Sequence, residues 1–310
     1  MNVAINGFGR IGRAVFKILL EKKGGINVVA INDLTDTETL AHLLKYDTCY
    51  GIYEKKVDFT KDSLVVDGKK YKITAEKDPS VLPWKDLGVD IVLECTGKFR
   101  SKEKAMAHIK AGAKKVIISA PADDPAVKTF VLGVNEEKIS KKDLVISNAS
   151  CTTNCLAPIT EVVRKNFGIK KAIMTTVHSY TADQNLVDGP HKDLRRARAA
   201  AANIVPTTTG AAIAVTETIP SLKNKFDGMA VRVPTPVVSL TDAVYLTNKK
   251  VDEKTVNATF KQAARSTHKG LIEASEEELV SSDLIKNPAS AIVDLSLTKV
   301  VDGDLLKVVA

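Results

Sequence analysis

The 310-residue chain is 44% hydrophobic and 26% charged, ordinary for a water-soluble globular protein, and it is long for a single core, so two domains are expected. Its formal charge of +8 suits phosphorylated metabolites or nucleic acid, but aromatics reach only 5% and no basic block is interleaved with stacking residues, which argues against a dedicated nucleic-acid partner. Cys49, Cys95, Cys151 and Cys155 show no repeated metal-ligand spacing, the N-terminus has no basic region before a long apolar run, and no stretch is apolar enough to span a bilayer; no metal, no disulfide framework and a cytoplasmic location are expected.

Val3-Ala4-Ile5 reads as a short buried strand, followed by Asn6-Gly7-Phe8-Gly9-Arg10-Ile11-Gly12-Arg13 and a helix carrying Ile11, Val15, Phe16, Ile18 and Leu19. This is G-x-G-x-x-G between a strand and a helix. Gly7 permits the tight turn, Gly9 lets the backbone approach a pyrophosphate, and Gly12 allows close helix packing. The next strand, Val28-Val29-Ala30-Ile31, ends at Asn32-Asp33, the spacing of about 20 residues expected for a carboxylate on an adenosine ribose. Asp33 would accept from the ribose hydroxyls and repel a 2′-phosphate, so NAD is favoured over NADP. The competing reading of Asp33 is a helix or turn cap.

A helix over Thr37–Lys45 precedes Leu64-Val65-Val66 and Tyr71-Lys72-Ile73, which flank Asp67-Gly68 and read as a hairpin inserted in the sheet. Parallel-sheet patterns resume at Ile91–Gly97 and Val116–Pro121, with a helix over Lys102–Lys110 between them. Ligands of a doubly wound sheet collect at the carboxyl ends of its strands, so Thr96, Gly97 and Ser119 are candidate cofactor contacts. Ordinary turn chemistry accounts for the same residues equally well.

Ser147-Asn148-Ala149-Ser150-Cys151-Thr152-Thr153-Asn154-Cys155 lies between the apolar Leu144-Val145-Ile146 and a helical pattern through Leu156, Ile159, Val162 and Val163. A cysteine at such a junction has its sulfur beside the unpaired N–H groups and positive end of a helix, which favours thiolate. Free cysteines are ordinarily small buried residues, yet Ser150, Thr152, Thr153 and Asn154 are poor packing partners and good donors to an anion. Cys151 is therefore the candidate nucleophile, while Cys155, a turn deeper, is read as core.

Beyond Cys151 the pattern turns β-rich, at Ala172–His178, Met229–Val233, Val237–Leu246, Ala291–Val301 and Leu305–Val309, with a helix over Glu253–Ala264. The expectation is a Rossmann-type, doubly wound α/β cofactor domain over 1–150, then a mostly antiparallel-sheet catalytic domain of α+β type over 151–310. A long loop, 179–203, carries the basic run Lys192–Arg198 and has the length of a functional loop. His178 ends a strand within Thr175–Thr181; set beside a helix-capped thiol it can take the thiol proton and act as base.

Through Asn6–Arg13, Ser147–Pro158, Thr176–Thr181, His191–Ala201, Pro206–Ala212 and Gly228–Pro236, the chain resembles phosphorylating glyceraldehyde-3-phosphate dehydrogenases of the bacterial and eukaryotic type along its whole length. The resemblance implies Cys151 as nucleophile and His178 as base. Thr181 and Arg232 would hold the triose phosphate group. Ser150, Thr152, Thr209, Gly210 and Arg196 would hold inorganic phosphate, and Arg10, Ile11, Asp33, Thr96 and Ser119 would contact NAD. It also implies a homotetramer and a place in glycolysis and gluconeogenesis. The residues around Thr181 and Thr209 resemble the triose enzyme rather than an erythrose-4-phosphate dehydrogenase. Three departures stand out: the family usually continues beyond Val309 into a Trp-Tyr-Asp-Asn-Glu segment and a final helix that anchors the nicotinamide, Tyr50 stands where histidine is usual, and Gly189 stands where NAD-specific members commonly carry leucine. The alternative reading is a truncated homologue with weak or no turnover that keeps NAD or nucleic-acid binding.

Overall fold

A computed structural model describes residues 1–22 and 24–310. Met1–Phe130 with Ile139–Ala149 form one compact unit, and Val131–Lys138 with Ser150–Ala310 form the other. The short segment 131–138 thus groups with the second unit, although the sequence pattern places it in the first.

The first unit is built on one sheet. Its strands run in the order Lys128–Thr129, Val145–Ser147, Lys115–Ile118, Ile91–Glu94, Asn2–Asn6, Asn27–Asn32, Lys69–Thr74, Ser63–Val66 and Val57–Thr60. Every pairing from Lys128–Thr129 to Lys69–Thr74 is parallel, and the last two are antiparallel. Successive side chains of the central strands serve opposite faces: Ala4 and Ala30 join Trp84, Val92, Ala105 and Ile118 in one buried cluster. Ile5 and Ile31 join Phe16, Leu40, Leu64 and Tyr71 in the other. Burial on both faces is what a doubly wound sheet requires, and it accounts for the continuous apolar runs in these strands.

The hairpin at Asp67-Gly68, with both residues at positive φ (48° and 81°), forms as expected. It is not a mere insertion, however. Its second strand, Lys69–Thr74, pairs in parallel with Asn27–Asn32 and so extends the main sheet. Asn2–Asn6 starts at the centre, with the chain winding outward to Asn27–Asn32 on one side and later to Ile91–Glu94 on the other. That reversal is the switch point where a crevice opens beyond the strand ends.

The second unit holds a mixed, mostly antiparallel sheet, ordered Val205–Thr207, Phe226–Val233, Ile169–Ser179, Leu240–Thr247, Leu305–Val309, Ala291–Val301 and Ile272–Ser275. One face is buried and the other is not. Met174, Thr176, His178, Ala230, Thr241, Ala243 and Tyr245 point inward, whereas Ile173, Met229 and Leu240 are exposed. The helices Cys151–Phe167, Ala211–Thr218 and Glu253–Arg265 pack against this unit's strands. The alternation along Ile169–Ser179 therefore sets His178 on the face that the helix beginning at Cys151 covers. Among the described residues, no helix is long and apolar enough to cross a membrane.

Candidate active site

In the first unit a cleft of about 510 Å³ opens at the switch point, lined among others by Gly7, Gly9, Asp33, Cys95 and Thr96. Each glycine of the motif has a separate physical reason. A Cβ on Gly7 (φ +91°) would lie 2.7 Å from the Thr96 backbone nitrogen, and one on Gly12 would lie 2.1 Å from the Gly7 carbonyl. The turn, the helix and the neighbouring strand can close up only without side chains there. At Gly9 a Cβ would meet nothing within 4 Å; it would project into open space, where an elongated anion could lie against bare backbone. The helix Arg10–Glu21 begins there with no acidic residue in its first turn and no side-chain cap, which leaves its positive end available to a pyrophosphate. The cleft fits a dinucleotide.

Asp33 accepts from the Phe8 N–H at 2.7 Å and the Thr35 N–H at 3.0 Å. It therefore acts as a turn cap and also holds the glycine-rich loop while lining the cleft. Arg10 is exposed and forms an ion pair with Asp47 at 3.0 Å, its guanidinium 5.5 Å from the centre of the Tyr50 ring. Tyr50 is thus a stacking partner for Arg10. Ile11 is 53% exposed, Gly97 has φ +70° with open space round it, and Ser119 donates its N–H to the Glu94 carbonyl at 3.0 Å. These last three, with Arg10 and Gly12, lie outside the residues that line the cleft.

In the second unit Cys151 is the first residue of its helix. The Ser150 hydroxyl caps that helix, accepting from the Thr153 N–H at 3.0 Å, an interaction of about 1 kcal/mol. Just ahead, Ala149 adopts φ 59°, the left-handed region that non-glycine residues rarely occupy. The Cys151 Sγ lies 3.2 Å from the His178 Nε2. Burial among protein atoms pushes the thiol up, but the hydrogen bond and charge of His178, with the N–H and hydroxyl of Thr152, outweigh it and hold Cys151 below its ordinary value. Burial wins at the other two perturbed thiols, Cys95 and Cys155, each pushed up to about 11. Although protein atoms crowd the sulfur, Cys151 remains open to solvent, which with the lowered value suits a reactive thiol.

The Nδ1 of His178 lies 2.6 Å from the Ser179 carbonyl and 3.1 Å from an Arg232 guanidinium nitrogen. Both cannot be satisfied by one nitrogen, since the carbonyl only accepts and the guanidinium only donates. The shorter contact assigns the proton to Nδ1, and Arg232 then shares the same carbonyl at 3.0 Å. Nε2 is thereby left to take a proton from sulfur. Arg232 is placed by register, pairing with His178 across parallel strands, and it also reaches the Thr181 hydroxyl at 3.3 Å. Its Nε is buried without a partner.

The remaining candidates are tied to one another. Arg196 donates to the Thr207 hydroxyl at 2.9 Å and the Thr208 carbonyl at 3.0 Å, forms an ion pair with Asp183, and lies 3.5 Å from Asp193. The basic run is thus fastened to the turn that carries Thr209 and Gly210, and Gly210 caps the helix Ala211–Thr218. Thr152 is buried. Asp183, whose carboxyl Arg196 holds below the ordinary range despite the opposing effect of burial, has no motif of its own to mark it in the sequence; its nearness to Thr181 is the available signal. The loop also binds itself, through Asn185 to the Gly189 carbonyl at 2.6 Å and Arg198 to Asp188 at 2.7 Å.

Two family models match the chain. Residues 1–102 match the family model described as glyceraldehyde 3-phosphate dehydrogenase, NAD binding domain. Residues 150–310 match the one described as glyceraldehyde 3-phosphate dehydrogenase, C-terminal domain. The chain is 56% identical over 307 residues to a glyceraldehyde-3-phosphate dehydrogenase of Thermotoga maritima, covering 99% of this chain and 92% of the relative. It is 54% identical over 311 residues to that of Geobacillus stearothermophilus (100% and 92%) and 54% identical over 310 residues to that of Streptomyces coelicolor (99% and 92%). With a dinucleotide cleft in one unit, a histidine-paired thiol in the other and both family models matched, the chain belongs to the glyceraldehyde-3-phosphate dehydrogenases, a family of NAD-dependent oxidoreductases.

Proposed function

We propose that this protein catalyses the NAD-dependent oxidation and phosphorylation of D-glyceraldehyde 3-phosphate to 1,3-bisphosphoglycerate through a covalent Cys151 intermediate. The observation that carries the reading is the 3.2 Å contact between the Cys151 Sγ and the His178 Nε2 at a helix N-terminus. The thiolate adds to the aldehyde carbon and the carbonyl oxygen takes the proton, giving a thiohemiacetal. His178 accepts that hydroxyl proton at Nε2 as the carbon is oxidised, and a thioester remains on Cys151. Gly7, Gly9, Asp33 and Thr96 of the first-unit cleft would hold NAD, which would supply the hydride acceptor. Inorganic phosphate then attacks the thioester, the acyl phosphate leaves and Cys151 returns as thiolate.

Two anions must be held for this. Arg232 with Thr181 suits the triose phosphate, because a guanidinium held through one terminal nitrogen by the Ser179 carbonyl and the Thr181 hydroxyl presents its other donors in one plane. Ser150, Thr152, Arg196, Thr209 and Gly210 are assigned to inorganic phosphate. Ser150 and Arg196 already have internal partners, so the assignment requires them to share donors with the incoming anion. The proposal includes a cytosolic homotetramer. Incubation with NAD, the triose phosphate and phosphate should give reduced cofactor in proportion to acyl phosphate. A folded protein with free Cys151 and no reduced cofactor overturns the assignment, and sedimentation of the native protein decides the assembly.

A further inference from the structure

Beneath the first-unit cleft lies a buried hydrogen-bonded chain whose direction can be worked out from its ends. Trp84, Asn6, Asn32, Glu94 and His108 are each at most 4% exposed. An indole N–H can only donate, so the Trp84 bond to the His108 Nδ1 at 3.0 Å makes that nitrogen an acceptor. The ring proton is then on Nε2, which donates to the Glu94 Oε2 at 3.1 Å.

At the far end the Glu76 backbone N–H, also only a donor, bonds the Asn32 Oδ1 at 2.9 Å. The Asn32 amide donates to the Asn6 Oδ1 at 2.7 Å, and the Asn6 amide donates to the same Glu94 oxygen at 2.6 Å. A chain that begins with a donor at both ends needs a group in the middle that only accepts. Glu94 is that group, as a carboxylate. The 3.4 Å separation of the Asn6 Nδ2 and His108 Nε2 is what two donors converging on one oxygen leave. The other Glu94 oxygen accepts the Thr96 N–H at 2.8 Å and the Thr96 hydroxyl.

We infer that Glu94 is a positioning residue for the nucleotide: its buried carboxylate, oriented through His108 by Trp84, holds the turns at Asn6-Gly7, Asn32-Asp33 and Cys95-Thr96 at one spacing. These turns end three neighbouring parallel strands and line the same cleft. Their spacing is critical, because the Gly7 turn already sits so close to the Thr96 backbone that no Cβ fits between them. Glutamine at position 94 is not conservative here. Whichever way it turns, its amide would put a donor against the Asn6 and His108 donors or against the Thr96 N–H, leaving at least one buried group unpaired. Glutamine at position 108 is the conservative change, since its oxygen and nitrogen can repeat the accepting and donating pattern of Nδ1 and Nε2.

The inference rests on the reading that this cleft takes NAD, and the test separates the two. NAD is titrated into the full-length wild type and the variants Glu94→Gln, His108→Phe, His108→Gln and Asp33→Ala. The histidine ring nitrogens and the indole of Trp84, the one tryptophan in the chain, are followed by nitrogen NMR. Expected are a His108 ring protonated at Nε2 only, NAD binding about ten-fold weaker in Glu94→Gln and His108→Phe, and His108→Gln within about three-fold of wild type. The loss should show in KM for NAD rather than in kcat. A His108 proton on Nδ1, or a folded Glu94→Gln or His108→Phe that binds NAD as wild type does while Asp33→Ala does not, overturns the positioning role. If Asp33→Ala binds normally as well, the cleft reading itself fails. Should Glu94→Gln not fold, the wild-type ring protonation and the split between the two His108 variants decide between positioning and its absence.

Discussion

The sulfur of Cys151 and the Nε2 of His178 stand 3.2 Å apart although 27 residues separate them in the chain. One is the first residue of a helix and the other the penultimate residue of the strand that helix covers. The proposed nucleophile and base are therefore held by a helix and a strand rather than by a loop, and the consequences can be measured.

Replacing the nucleophile should remove the covalent route and leave the nucleotide cleft intact. Cys151→Ser and Cys151→Ala are expected to lower the rate of aldehyde oxidation by about 10³-fold or more, as losses of a nucleophile do elsewhere. Their affinity for NAD, followed by calorimetry, should stay within a factor of about three, corresponding to less than ~1 kcal/mol. Oxidation at the wild-type rate in either variant refutes covalent capture.

The base should be visible in the reactivity of the thiol. Because Cys151 titrates below its ordinary value, its alkylation is expected to outpace that of an ordinary thiol at the same pH and to slow as pH falls through that lowered value. In His178→Asn, which removes the hydrogen bond and the charge, the midpoint should rise toward the ~8.5 of a free thiol. Peptide mapping at neutral pH should find Cys151 labelled well before Cys95 and Cys155, both at about 11. An unshifted midpoint in His178→Asn would remove His178 from thiolate stabilisation.

Two glycines of one motif should behave differently. A methyl group at Gly12 meets a backbone oxygen at 2.1 Å, whereas at Gly9 it meets nothing. Gly12→Ala is therefore expected to lose about 1–3 kcal/mol in denaturant unfolding. Gly9→Ala should unfold like wild type and bind NAD more weakly. Equal stability of the two variants would show that the helix can retreat from the turn.

Arg232 shares the Ser179 carbonyl with His178 and reaches the Thr181 hydroxyl, so on the proposed assignment it links the base to the anion site. Arg232→Lys keeps the charge and loses the planar fork. We expect kcat/KM for glyceraldehyde 3-phosphate to fall about 100-fold, and that for unphosphorylated glyceraldehyde about ten-fold less, the difference being a charge-assisted hydrogen bond. Equal losses on both substrates would assign Arg232 to the orientation of His178 alone.

Much of this is readable in the chain because the signals are local. The glycine spacing at Gly7, Gly9 and Gly12 answers to backbone geometry within one turn, and the helices Thr37–Lys45 and Lys102–Lys110 and the strands Ala291–Val301 and Leu305–Val309 run as their periodicity predicts. The parallel pairing of Lys69–Thr74 is not readable, since turn chemistry at Asp67-Gly68 reports only the strand across the hairpin. Ser150 reads as a free anion donor, but a hydroxyl at that position is first of all a helix cap. The Trp84, His108 and Glu94 chain leaves no trace in any short motif, because its members come from a turn, a helix and a strand that only the folded sheet brings together.

The in-step pairing of His178 with Arg232 also limits how this protein can be altered. Adding or deleting a single residue in either strand would swing one of the two to the opposite side of the sheet, parting the imidazole from the guanidinium in one event. Changes of substrate preference should therefore be sought by point substitution within Ile169–Ser179 and Phe226–Val233, and changes of length confined to the connecting loops.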